Sequence, residues 1–157
     1  MKIKIILLGK TDATYLKEGC DFYLRKINHY CPIEYIEIPD LKRIKTCSIH
    51  EQKNKEGNLI LQKIQASDTI ILLDEKGKSF TSLEFSKYIE NFLISSIKQL
   101  VFIIGGAYGF SDELYARANA LLSLSNMTFS HQMIRLLFLE QLYRAFSIIH
   151  HEPYHHA

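Results

Sequence analysis

Three stretches of the chain are apolar almost without interruption: IKIILLG from Ile3 to Gly9, TIILLD from Thr69 to Asp74, and LVFIIGG from Leu100 to Gly106. Runs of this length that end at a glycine or an acid suit strands covered on both faces, as in a parallel sheet. IEYIEIP, from Ile33 to Pro39, alternates instead and predicts a less buried, edge-like strand. The intervals between the runs carry helical spacing. The clearest is Thr81 to Ser95, where Phe85, Tyr88, Ile89, Phe92 and Leu93 recur on one face. Thr81 with Glu84, and Ser48 with Glu51, have the spacing of capping boxes, in which a hydroxyl and a carboxylate satisfy orphan N–H groups at a helix start. Strand and helix thus alternate four times, followed by a last short apolar segment and a long helix. The pattern predicts an α/β fold, a mainly parallel sheet flanked by helices.

The last helix is predicted from His131 to His150 and is apolar almost all round, which requires cover on nearly every side. In so small a chain one cover is expected to be a second subunit, since a helix at the end of a chain seldom has neighbours on all faces. Glu140 and Arg144 are spaced to pair across one turn. Arg135 lies half a turn around from Arg144, so at least one of the two is expected to point at an interface or a ligand.

Composition narrows the class. With 157 residues and 47% hydrophobic side chains, one domain with a real core is expected over 1–157. Lys and Arg number 19 against 17 Asp and Glu, so no global positive field marks a DNA binder, and any nucleic acid is held locally. The opening MKIKIILLGK fits neither an export signal nor a membrane span, and a cytoplasmic protein is expected. Cys20, Cys31 and Cys47 lack the spacing of a disulfide framework or a thiolate zinc site. Lys42, Arg43, Lys45, Lys53 and Lys55 accumulate in one polar interval, which is either a solvated face or a phosphate-contacting edge.

Ligands of open parallel sheets sit beyond the carboxyl ends of the strands, which singles out LLDEKGK and IIGGAYG. Gly105, Gly106 and Gly109 follow a strand directly, but their spacing matches neither a dinucleotide fingerprint nor a phosphate-gripping loop. A tight turn without a ligand is an equal reading of them. Asp74 and Glu75 stand at a strand end, where a carboxylate is more often simply solvated.

Three stretches together resemble one family. IGGAYG at 104 to 109, LSLSNMTFSHQMIRLLFLEQLYRAF at 122 to 146, and a tail with Pro153, Tyr154 and His155 are similar to the RlmH family, the large-subunit ribosomal RNA pseudouridine N3-methyltransferases of the SPOUT class. The S-x-x-T-x-x-H-x-x-x-R run from Ser125 to Arg135, joined to LYRA at 142 to 145, is its most specific part. The likeness spans essentially the whole chain, including IEIP at 36 to 39 and KEG at 55 to 57.

The resemblance implies an alpha-beta knot, with the C-terminal part of the sheet threaded into a deep trefoil knot and S-adenosylmethionine bound there. By position, Leu73, Gly105, Leu124, Ser125, Asn126, Met127, Thr128 and Phe129 are then expected at the cofactor, much of it through backbone groups. A homodimer is implied, in which the tail of one subunit reaches the cofactor pocket of the other. His131, Arg135, Tyr154 and His155 are the implied catalytic residues, with arginine stabilising charge and a histidine or tyrosine handling the imide proton. The implied substrate is 23S rRNA in the assembled ribosome, which suits a modest net charge. No metal is expected, and the histidine-rich tail is expected to be native. Ala107 and Tyr108 stand where family members often carry proline with an acidic residue or serine with asparagine, and Ser130 replaces a common proline. His156 and Ala157 stand where some members place a basic residue, so RNA affinity is expected to vary with pH near neutrality. A non-catalytic knotted RNA-binding module and a nucleotide-sensing domain are the rival readings.

Overall fold

A computed structural model describes residues 1–41 and 47–156 of the chain. Lys42, Arg43 and Lys45 of the basic interval, and Ala157 of the tail, lie outside the described residues. Five strands, β1 (Lys2–Leu8), β2 (Ile33–Ile38), β3 (Thr69–Ser79), β4 (Gln99–Ile104) and β5 (Ala120–Ser123), form one sheet in the order β2-β1-β4-β3-β5. Every pairing is parallel. The helices are α1 (Thr14–Asn28), α2 (Ile49–Leu61), α3 (Ser82–Ile94), α4 (Asp112–Arg117) and α5 (Met133–Ile149).

The uninterrupted apolar runs arise because both faces of the sheet are covered. Successive side chains of a strand point to opposite faces. Ile3, Ile5 and Leu7 of β1 and Leu100, Phe102 and Ile104 of β4 accordingly join one core cluster, which also holds Cys20 of α1, Phe85 of α3 and Phe138 of α5. Ile6, Leu8, Val101 and Ile103 point the other way, to Ile60 of α2 and Leu114 of α4. The alternating β2 is an edge strand, as its pattern predicts, and β5 is the other. Both predicted capping boxes form, at Ser48 and Thr81.

Two features depart from the sequence pattern. β3 continues to Ser79, past Asp74. After a register shift between Leu73 and Lys78 it pairs with β5 a second time, through Lys78 and Ser79. Gly77 makes this passage possible, since a Cβ there would lie 2.5 Å from the Leu122 backbone nitrogen. The second departure concerns α5, which packs between α1 and α3 against the sheet, so its own chain supplies most of its cover. Half-exposed along it are Met133, Leu137, Glu140, Arg144 and Ile148, which share one stripe, and also Ile134, Leu136, Gln141 and Ile149.

Candidate active site

Beyond the carboxyl ends of β3, β4 and β5 lies a cavity of about 730 Å³, within the size range of small-molecule sites. Its apolar floor includes Leu73, Ile104 and Leu124. On one side is the glycine turn after β4, closed by the Gly109 N–H donating to the Gly106 carbonyl at 3.3 Å. Gly109 holds φ +77°, where glycine is at ease, and Gly105 meets the Phe110 ring so closely that a Cβ would lie 2.8 Å from it. On the other side is the segment from Leu124 to His131, which carries the chain from β5 back toward the end of β1. Ser125 Oγ accepts from the Met127 N–H at 2.9 Å and shapes its bend.

Every residue expected at the cofactor except Asn126 lines this cavity, and so does His131. Asp74 and Glu75 line it too, although the sequence placed little weight on them. Asp74 is fixed by the Lys76 N–H and by the Tyr115 hydroxyl, which donates at 2.5 Å. Burial, followed by this bond and the carboxylate charge, pushes the Tyr115 phenol up to about 12. No motif marked Tyr115; its contact crosses 41 residues and exists only in the fold.

Tyr115→Phe is expected to lower stability by about 1.5 to 3 kcal/mol, the worth of a hydrogen bond to a charged group. The raised folded pKa also sets a sign. The contribution is whole below the ordinary value of 10.0 and is lost as pH climbs toward about 12. Alkaline denaturation followed in both proteins should therefore show a shallower loss across that window in the variant.

Arg135 is placed differently from the other expected residues. It is 0% exposed and does not line the cavity. Nε donates to the His131 carbonyl at 3.0 Å, Nη1 to the Gly9 carbonyl at 2.9 Å and Thr11 Oγ1 at 3.0 Å, and Nη2 to the Leu8 carbonyl. Glu37 Oε1 lies 3.6 Å from Nη1 and also accepts from Thr11. The guanidinium thus joins the start of α5 to the end of β1, and Gln132 adds bonds to Lys10 and Asp12.

Tyr154 and His155 are not at the cavity of their own chain. After His151, which takes φ 56°, the tail folds back to the level of Glu140 and Arg144, about two turns along α5 from the cavity-lining Ile134. Arg144 donates to Glu140 Oε1 through Nε at 3.0 Å and Nη2 at 2.5 Å. Tyr154 donates to the same oxygen at 3.2 Å and lies under the Arg144 guanidinium. Arg144 Nη1 stands 3.4 Å from His155 Nδ1. Arginine has no acceptor, so this contact makes Nδ1 the acceptor and leaves the ring proton on Nε2. Burial, the bond with Tyr23 and the Glu140 charge hold the Tyr154 phenol well above its usual range, so it stays neutral near pH 7. Among the described residues no three acids, histidines or cysteines cluster to hold a metal ion, and no helix is long and apolar enough to cross a membrane.

Comparison with known proteins agrees with this geometry. A family profile described as "Predicted SPOUT methyltransferase" matches residues 1–155. The chain is 53% identical over 156 residues to "Ribosomal RNA large subunit methyltransferase H" of Parabacteroides distasonis, an alignment covering 99% of each. The protein of the same name from Cytophaga hutchinsonii is also 53% identical, over 99% of this chain and all of that one, and the one from Porphyromonas gingivalis strain ATCC 33277 is 44% identical. With the profile spanning nearly the whole chain and the glycine turn, the return segment and the strand ends meeting at one cavity, the chain belongs to the SPOUT methyltransferase family.

Proposed function

We propose that the protein methylates N3 of a pseudouridine in 23S ribosomal RNA of the assembled ribosome, using S-adenosylmethionine, and that it works as a homodimer. The observation that carries this reading is the cavity at the strand ends, bounded by the glycine turn and the Leu124–His131 segment. Its residues suit the cofactor. The carboxylates of Asp74 and Glu75 suit its positive charges, and the floor of Leu73, Ile104 and Leu124 suits a flat ring. S-adenosylmethionine supplies, when bound, a methyl group activated by a positively charged sulfur. The knot belongs to the same proposal. It is supported by residues of the Leu124–His131 segment sharing one cavity with residues of β3 and β4, and by the β3 extension packed on the β5 backbone at Gly77.

Dimerisation is supported by what the chain leaves half-exposed. The half-exposed stripe of α5 carries apolar Met133, Leu137 and Ile148 together with Glu140 and Arg144, the pair that holds the tail. Packing this stripe on a second copy would remove apolar surface from water and carry Tyr154 and His155 toward the partner's cavity. The Glu140–Arg144 fork then keeps the tail in one geometry, which is worth rate because misplaced groups lose it.

The pseudouridine imide must lose a proton before N3 attacks. The Nε2–H of His155 and the Tyr154 O–H, the latter once it exchanges its bond to Glu140 for the substrate, are donors suited to stabilising the negative charge that spreads to the imide oxygens. His131 lines the cavity, which supports it as the group that takes the proton. Arg135 is a positioning residue that fixes the His131 backbone.

The test is transfer of labelled methyl from S-adenosylmethionine to ribosomes lacking the modification, with the product nucleotide located by mass spectrometry. Methyl on one pseudouridine of the large-subunit RNA is expected. Tyr154→Phe should lower kcat about 100- to 1,000-fold, as losing one donor to a developing charge does, while leaving cofactor affinity nearly unchanged and lowering the melting temperature by only a few degrees for the lost bonds to Glu140 and Tyr23. Cofactor binding without transfer to ribosomes or large subunits would instead favour the binding-module reading.

A further inference from the structure

We propose that Tyr108 is a stacking platform for a nucleobase of the RNA substrate, one that neighbours the nucleotide being methylated. The inference rests on the function proposed above and adds a recognition residue to it. Tyr108 sits at the tip of the glycine turn, between Ala107 and the positive-φ Gly109, with its ring 39% exposed at the cavity wall. Phe129, 38% exposed, and Met127, 75% exposed, stand at the same cavity on the return segment. Exposed large apolar side chains scattered singly need no explanation, but three gathered at one opening form an apolar rim, and such rims mark binding surfaces.

The position of the ring decides which flat partner it takes. The floor of Leu73, Ile104 and Leu124 lies at the strand ends, deep to the turn, and already offers an apolar surface for the cofactor's adenine. Tyr108, on the turn, is far more exposed than Ile104 of the floor, 39% against 3%, and so is open to a partner that enters from solvent. A cation accompanies it on the same flank. Glu56 Oε2 of α2 approaches Gly106, and Gly57 packs on Ser111, so this face of α2 lies against the glycine turn. Lys53 is one turn earlier on that face and lines the cavity. Lys76 lines the cavity as well, from the β3 extension. Asp112 is the acid on the α4 side of the opening, and Asp74 is held by Tyr115. An exposed aromatic ring beside a lysine is how proteins hold unpaired nucleotides, the ring taking a base face and the cation a phosphate.

The experiment compares the full-length wild type with Tyr108→Ala and Tyr108→Phe. It measures kcat and KM for ribosomes lacking the modification, and separately the Kd for S-adenosylmethionine by calorimetry. Removing one base–aromatic stack should raise the ribosome KM about tenfold in the alanine variant, with the cofactor Kd unchanged and the phenylalanine variant close to wild type. An unchanged KM in Tyr108→Ala overturns the inference. A cofactor Kd weakened by the same factor also overturns it, because the ring would then serve the adenine. Equal loss in both variants overturns it in favour of the hydroxyl. A wild type that methylates no ribosomal substrate removes the proposed function and this inference together, whereas an active wild type with an unaffected alanine variant removes this inference alone.

Discussion

Arg135→Ala is expected to lower the melting temperature by roughly 10 to 15 °C, which follows from a cost of about 3–5 kcal/mol for leaving several acceptors of a fully buried guanidinium without their donor in a chain of this size. The guanidinium is fully buried and distributes its N–H groups among Leu8, Gly9, Thr11 and His131. Truncation leaves the accepting carbonyls without donors and Glu37 without its charge partner. Arg135→Lys should rescue little, since one ammonium cannot reproduce a planar fork with partners on several sides. Thermal unfolding followed by circular dichroism decides the matter. A variant that keeps the wild-type melting temperature yet transfers no methyl would return Arg135 to the substrate and overturn its role as a clamp.

Gly77→Ala should cost about 3 kcal/mol, near the upper end for overpacking, because the added methyl would lie 2.5 Å from the Leu122 nitrogen and 2.6 Å from the Leu121 and Leu122 carbonyl carbons. Those atoms belong to a strand backbone and cannot rotate away as a side chain would. The β3 extension and β5 must separate, and they carry Lys76 and Ser123 into the cavity wall. Cofactor affinity is therefore expected to fall with stability. A variant with wild-type denaturant midpoint and cofactor Kd would show that the extension does not need this close approach.

The elements legible in the sequence were those whose signals are local. The apolar runs of β1 and β4 mean burial on two faces, and the capping boxes at Ser48 and Thr81 are complete within four residues. The half-turn between Arg135 and Arg144 showed that one arginine must face away from solvent, but not which one. The choice depends on the carbonyls at the end of β1, some 126 residues away. The β3 extension was hidden because DEKGKS has no strand-like alternation, and its pairing with β5 is tertiary. Asp74 looked solvated because its partner, Tyr115, is distant in sequence. The family resemblance gathered the cavity residues that periodicity could not, yet only the fold shows that Tyr154 and His155 lie away from the cavity of their own chain.

The clamp at Arg135 also has a consequence for biosynthesis. The first strand made is completed by contacts from the last helix, across 127 residues, so the contacts that finish the site are among the most non-local in the chain. Such contacts fold slowly, because the entropy of closing the loop is lost before the contact returns anything. A nascent chain still lacking α5 has no arginine donor for the Leu8 and Gly9 carbonyls and leaves the sheet face between α1 and α3 open to water. The protein therefore acquires its site only after synthesis has passed Arg135, and a ribosome stalled before that codon should display a chain that proteases cut readily.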